Sequence, residues 1–299
     1  MKKKSFFSLI MGLQLVVLIN SKRLRIVEGE YALPGQFPHQ VSIQAMTPDN
    51  CTQHVCGGSI IDERHILTAS HCVTEELFRE FLDIPWTIVA GTVDLKDRSS
   101  GVYRDVETIF IPNSYIFNDY GDYNDDIAIL KLREALPLDF HEYLNAVNLP
   151  DSKQYLPPDN RTAVISGFGA YNQTALSNGS LVTGPMSQFL RFVHGMINVD
   201  NQEDCLDSEI CVRSPRYQEG DCYGDSGGPL YDEDNNTLIG IVSHSDHESC
   251  GDTSKYTRVS AHLDFIYNVL TENIDDTIVW HGQSHKHSLE YPNLTVCDI

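Results

Sequence analysis

At 299 residues, 41% apolar and 21% charged, the chain has globular composition, with enough hydrophobe for one large or two small domains and too much for disorder. Its 20 Gly and 13 Pro follow no G-X-Y or longer period, which excludes collagen-like, solenoid and low-complexity architectures. The 21 Lys+Arg against 42 Asp+Glu give a net charge of −21; the first 25 residues hold six basic groups and no acid, so their removal leaves 15 against 42, or −27. Such a surface favours solubility, repels phosphate backbones and anionic lipid, and argues against a nucleic-acid partner.

The N-terminus reads Met1-Lys2-Lys3-Lys4, then a mostly apolar run over 6–19, then Asn20-Ser21. A basic segment before a 14-residue apolar one has the form of a secretory signal peptide, assigned to 1–20. The run is short for a membrane span, and the alternative is an uncleaved anchor. No later stretch approaches 18 apolar residues, so the expected location is extracellular, with no membrane contact after signal removal.

From residue 26 short β-prone runs alternate with turn residues: Gln40-Val41-Ser42-Ile43, Ser59-Ile60-Ile61, Trp86-Thr87-Ile88-Val89, residues 127–132, Ala163-Val164-Ile165 and residues 238–242. Many short strands separated by Gly, Pro, Asn and Asp predict an all-β barrel or sandwich. The best helical pattern is Leu263, Ile266, Tyr267 and Leu270, which share one face. Residues 274–299 turn polar and carry His281, His285 and His287; they read as a solvated extension in preference to a metal-binding tail. Six sequons start at Asn50, Asn160, Asn172, Asn178, Asn235 and Asn293, as suits a glycosylated extracellular protein. Eight cysteines in a secreted chain predict four disulfides, and parity alone leaves 105 connectivities. No CxxC pair occurs, so a structural zinc site has no support and no metal is expected.

Three strings carry chemistry: Leu67-Thr68-Ala69-Ser70-His71-Cys72, Asp126-Ile127-Ala128-Ile129-Leu130, and Gly224-Asp225-Ser226-Gly227-Gly228-Pro229. A serine hydroxyl is a poor nucleophile unless a neutral imidazole accepts its proton and a buried carboxylate fixes the imidazole's tautomer and stabilises its charged form. With these strings, and with Arg25-Ile26-Val27-Glu28-Gly29, which looks like a zymogen cleavage site, the chain resembles the trypsin/chymotrypsin family of serine endopeptidases over about 26–273.

The resemblance implies two six-stranded antiparallel β-barrels packed face to face, with a boundary near 145–160, a C-terminal helix and the site at their junction. It makes His71 the general base, Asp126 its orienter and Ser226 the nucleophile. The N–H groups of Gly224 and Ser226 would form the oxyanion hole, each donor worth about 3 kcal/mol. Residues 21–25 become a short propeptide; cleavage after Arg25 would free the Ile26 ammonium to pair with Asp225, and the uncleaved chain should be nearly inactive. The family pattern also pairs Cys56 with Cys72, Cys205 with Cys211 and Cys222 with Cys250. Cys51 and Cys297 are left over, either to staple the C-terminal extension to the first barrel or to bridge to another molecule. No cofactor is implied, and the expected partners are protein or peptide substrates, an activating protease and protein inhibitors of a monomer.

The specificity residues depart from the pattern. Alignment back from Cys222 places Gly220 at the pocket floor, where trypsins carry Asp, and Asp221 on the adjoining wall, usually Ser. Asp221 could attract Lys or Arg of a substrate, whereas a floor glycine resembles collagenolytic, chymotrypsin- or elastase-like members. The other wall reads Ser243-His244-Ser245 in place of Ser-Trp-Gly, and Ser254 stands where Gly is usual. Ser243 by resemblance bonds Asp126; His244, Ser245 and Ser254 narrow the entrance, which predicts a restricted substrate set. Phe168 replaces a usual Trp, residues 171–187 form a long polar loop expected to project from the cleft rim, and Thr92 stands in place of a calcium-loop acid, so no calcium is expected. Cleavage after basic residues is slightly preferred as the reading; the alternatives are chymotrypsin-like or collagenolytic breadth, or a catalytically dead homologue acting as a binding protein.

Overall fold

The computed structural model describes residues 29–47, 51–75, 81–82, 84–117, 123–155, 157, 161–176, 180–197, 205–213, 220–245, 250–251, 253–284 and 295–297. Two closed six-stranded antiparallel barrels account for nearly all of its regular structure. In the first, the strands run in the order Val102–Pro112, Trp86–Ala90, Gln40–Met46, Cys51–Ile60, His65–Thr68 and Ala128–Leu132, and the last pairs back onto Val102–Pro112. In the second the order is Arg191–Ile197, Thr162–Gly167, Pro229–Asp232, Thr237–Ser245, Thr253–Arg258 and Glu209–Arg213, closed by Met196 opposite Arg213. The short strand Glu30–Tyr31 pairs with Arg191–Ile197, so the chain enters on the second barrel before building the first.

Strand alternation supplies the cores. Along Arg191–Ile197 the residues Arg191, Val193, Gly195 and Ile197 are buried and those between them are not, the period of two expected of a barrel wall. Val41, Ile43, Ile66, Ile88, Ile109 and Leu130 fill the first barrel, and Ile165, Ile197, Leu230 and Tyr256 the second. Where the barrels meet, polar contacts join them: Ser166 Oγ donates to Gln40 Oε1 at 2.7 Å, and Gly57 N–H donates to the Ser226 carbonyl at 2.8 Å. Leu263–Leu270 forms the expected helix and buries Leu263, Ile266 and Val269 against the first barrel's cluster, whereas Tyr267, expected on that face, is exposed and Leu270 only partly buried.

The tail beyond residue 273 departs from the solvated extension expected of it. Ile278–Gly282 is an antiparallel strand added to Val102–Pro112, with Ile278 buried in the first core. Thr295–Val296 pairs in parallel with Cys51–Ile60, and the Cys51–Cys297 disulfide fastens it there. The sequence Thr277-Ile278-Val279-Trp280 carries the β-branched and aromatic residues a strand needs, and the unpaired flank of Val102–Pro112 supplies the hydrogen bonds. The other three bridges join Cys56 to Cys72, Cys205 to Cys211 and Cys222 to Cys250, the pairings implied by the family pattern. Arg25, Ile26, the leader, His285, His287 and the sequons at Asn50, Asn160, Asn178 and Asn293 lie outside the described residues; Asn172 and Asn235 are exposed. Among the described residues no helix is long and apolar enough to cross a membrane.

Candidate active site

His71 sits on the single 3-10 turn Ser70–Cys72, which follows the extended Ala69. The turn is fixed from three sides: Ser70 Oγ donates to the Ile127 carbonyl at 2.7 Å, Thr74 Oγ1 to the Ser70 carbonyl at 2.9 Å, and Cys72 is tied to Cys56. Its ring lies 2.7 Å from Asp126 through Nδ1, and its backbone N–H donates to the other carboxylate oxygen at 3.0 Å. Ser243 Oγ donates to Asp126 Oδ2 at 2.6 Å. Burial of Asp126 opposes its charge, but the adjacent imidazole and these hydrogen bonds prevail and hold the carboxyl below its ordinary value. An acceptor-only carboxylate requires the proton on His71 Nδ1, which leaves Nε2 with a lone pair to accept one.

Ser226 stands in the tight turn between Cys222 and Pro229. Gly224 at φ 90° and Gly227 at φ 75° adopt backbone conformations that side chains disfavour. A Cβ on Gly227 would lie 2.0 Å from Thr68 Oγ1, so the turn packs directly on the strand leading to His71. The Gly224 carbonyl lies 2.9 Å from His54 Nε2, and His54 Nδ1 lies 2.7 Å from Ser42 Oγ. Burial pushes the His54 pKa down to about 4, so the neutral ring donates from Nε2, accepts from Ser42 and anchors the turn that carries the Gly224 amide. Sequence reasoning passed over Ser42 and His54; they are 12 residues apart, and only the register of two adjacent strands brings them together.

Asp225 is buried, 1% exposed. Its oxygens accept the Gly169 N–H at 2.8 Å and the Cys222 N–H at 3.0 Å, and among the described residues no cation pairs with it. Burial, augmented by the charge of Asp221, pushes its pKa up to about 7. The Gly167-Phe168-Gly169 string exists to admit it: a Cβ on Gly167 would lie 2.1 Å from Asp225 Oδ1.

The residues that the resemblance assigns to the specificity pocket adjoin this turn. Gly220 abuts Gly251, whose Cα would lie 2.8 Å from a Cβ at Gly220. Asp221 is buried, accepts the Tyr256 hydroxyl at 2.6 Å and is also hydrogen-bonded by Ser254; burial nonetheless raises its pKa. Ser245 Oγ donates to the Thr253 carbonyl at 3.2 Å, between two paired strands. His244 lies against Tyr123, ring centroids 5.6 Å apart, and Tyr123 lies 5.0 Å from His71, so the three rings pack in sequence. Residues 171–187 do not simply project: they include the hairpin Gln173–Ala175/Leu181–Thr183, and Gln173 Oε1 accepts the Cys250 N–H at 3.0 Å, docking the loop on the pocket disulfide.

The sequence profile of the Trypsin family matches residues 26–266. The chain belongs to this family. Serine protease SP24D of Anopheles gambiae is 34% identical over 258 residues, covering 82% of this chain and 81% of that protein. Mouse chymotrypsin-C is 31% identical, covering 81% and 87%. Among solved structures, human heparin binding protein superposes with a TM-score of 0.65 at 24% identity, covering 86% and 99%, a likeness of fold. HL collagenase gives 0.62 at 25% identity, covering 83% and 98%. For this trypsin-family protein the relatives support a hydrolase reaction on protein substrates.

Proposed function

We propose that the chain is a secreted serine endopeptidase, made as a precursor and activated by cleavage after Arg25, that acts through Ser226, His71 and Asp126. The observation that carries this reading is the buried, ionised Asp126, which spends both oxygens on the His71 backbone and ring and on Ser243. In that setting His71 Nε2 takes the proton of Ser226 Oγ as the oxygen attacks the scissile carbonyl, and Asp126 stabilises the imidazolium. The oxyanion is received by the Gly224 and Ser226 N–H groups. His71 returns its proton to the leaving amine, giving an acyl-enzyme on Ser226; water, activated by the same imidazole, then releases the acid. No step needs a cofactor. Protonation of His71 removes the base, so activity falls in acid.

Asp221 supports a preference for Lys or Arg at the cleaved bond. Its carboxyl is buried with a raised pKa, and a substrate cation entering the pocket supplies the missing countercharge. A second reading, apolar or broad cleavage, is favoured by the Tyr256 and Ser254 hydroxyls that already cap Asp221. Heparin binding, named for the structural relative, is not carried over: a chain of net charge −21 repels a polyanion. The test is hydrolysis of matched peptides ending in Arg, Lys, Phe, Leu or Ala by protein cleaved after Arg25, with Ser226→Ala as control. Preference for Arg or Lys supports the first reading, Phe or Leu the second, and absence of Ser226-dependent turnover overturns both in favour of a binding protein.

A further inference from the structure

Asp126 is supplied by the first barrel but is gripped from the second. Besides Ser243 on its carboxylate, Thr257 Oγ1 donates to the Asp126 carbonyl at 2.8 Å. One residue upstream, Asp125 Oδ1 lies 2.9 Å from His262 Nε2, and His262 Nδ1 lies 2.9 Å from the Arg258 carbonyl. The His262 side chain is 8% exposed. Both ring nitrogens therefore face oxygens that only accept: a carbonyl, and a carboxyl that its His262 hydrogen bond holds below the ordinary range against the pull of burial. Asp125 itself has φ 51°, a left-handed conformation uncommon outside glycine, and its carbonyl accepts the Ile127 N–H at 2.9 Å, closing the backbone around Asp126.

We propose that His262 is a positioning residue: bridging Arg258 and Asp125 across the barrel junction, it holds the strained turn that aims the Asp126 carboxylate at His71. It touches neither substrate nor the reacting atoms. The inference rests on the catalytic reading above, and its consequence is that loss of the bridge lets the Asp125 backbone relax and displaces Asp126 relative to the imidazole.

The test compares His262→Phe, His262→Gln, Asp125→Ala and the His262→Phe/Asp125→Ala pair in protein cleaved after Arg25. Two readouts apply: kcat and KM on one peptide, and the low-field proton resonance of the His71 Nδ1–H bonded to Asp126. His262→Phe should lower kcat about 10- to 100-fold, the scale of an ångström-level misplacement, with KM within about twofold. The resonance should shift, and the amide of His262→Gln should restore part of both. The double variant should be no worse than either single one, because both remove the same bridge. Wild-type kcat and an unshifted resonance in folded His262→Phe would overturn the proposal, as would additive losses. If His262→Phe does not fold, Asp125→Ala carries the same comparison, since Asp125 is one-third exposed. A wild-type chain without Ser226-dependent turnover overturns the catalytic reading alone; the resonance needs no turnover and still decides on His262.

Discussion

Blocking the cleavage after Arg25 should leave Asp225 as a buried carboxyl without a cation, and the cost should be visible in the pH dependence of stability. The perturbation is Arg25→Gln, compared with chain cleaved after Arg25, both in a Ser226→Ala background so that neither digests itself. In the uncleaved chain the folded-state pKa of Asp225 is about 7 against an ordinary 3.8, chiefly because burial disfavours its charge. A carboxyl whose folded pKa is raised contributes stability in full below the unfolded value and loses it as pH rises through the folded one. The shift is about three units, so about 4 kcal/mol is lost between pH 4 and pH 7. On the proposed pairing of Ile26 with Asp225, cleavage replaces that loss with an ammonium–carboxylate pair.

The assay is thermal unfolding of the two forms from pH 4 to pH 8, read as their difference. Carboxyls held low in both forms, Asp62, Asp125 and Asp126 among them, gain their stability mainly below about pH 5, at the acid edge of this range, and cancel in that difference. The melting temperatures should lie close together at pH 4 and separate by on the order of 10 °C near pH 8, the uncleaved form lower. Parallel curves would refute the assignment of Asp225 as the partner of the new N-terminus.

Ser226→Ala should abolish turnover while leaving peptide binding within about twofold, checked by burst kinetics and by titration of a bound peptide. Asp221→Asn should reduce kcat/KM for peptides ending in Arg or Lys about 100-fold and change those ending in Leu or Phe much less; equal effects on both sets would move the specificity argument away from Asp221. Cys51→Ser/Cys297→Ser should lower stability by about 2–4 kcal/mol, read as a fall in melting temperature, because the bridge closes a loop of 246 residues. Activity on small peptides should be unchanged, since the bridge lies outside the cleft.

The parts of the molecule legible in the sequence are those where chemistry dictates a local string. Gly224 to Pro229 is readable because so tight a turn needs glycine at Gly224 and Gly227, both at positive φ. The helix at Leu263–Leu270 is readable because its buried face repeats at helical spacing. What escaped reading is set by register between distant strands. Ile278–Gly282 is a strand because Val102–Pro112 offers an unfilled flank, a fact about another segment. The Ser42, His54 and Gly224 chain and the Asp125 and His262 pair join residues up to 170 and 137 positions apart, and no local pattern marks them. His244 was legible as a departure from the family, but its place against Tyr123 came only with the packed barrels.

Three buried aspartates, Asp126, Asp221 and Asp225, show how the same side chain is given different tasks by what its surroundings leave unsatisfied. Asp126 is supplied with a ring N–H, a backbone N–H and a hydroxyl, and stays an anion. Asp221 receives hydroxyls, and Asp225 backbone amides; neither set offsets burial, and both pKa values rise. On the proposed function each of these two is a site that a cation completes: a substrate side chain at Asp221 and the Ile26 ammonium at Asp225. They also feel one another, because the charge of Asp221 is among the causes that raise Asp225. A cation bound at either site weakens that repulsion and favours ionisation at the other, and linkage makes the effect reciprocal. A basic ligand in the pocket should therefore tighten the insertion of the new N-terminus, and the cleaved chain should bind a basic ligand more tightly than the uncleaved one by the same factor.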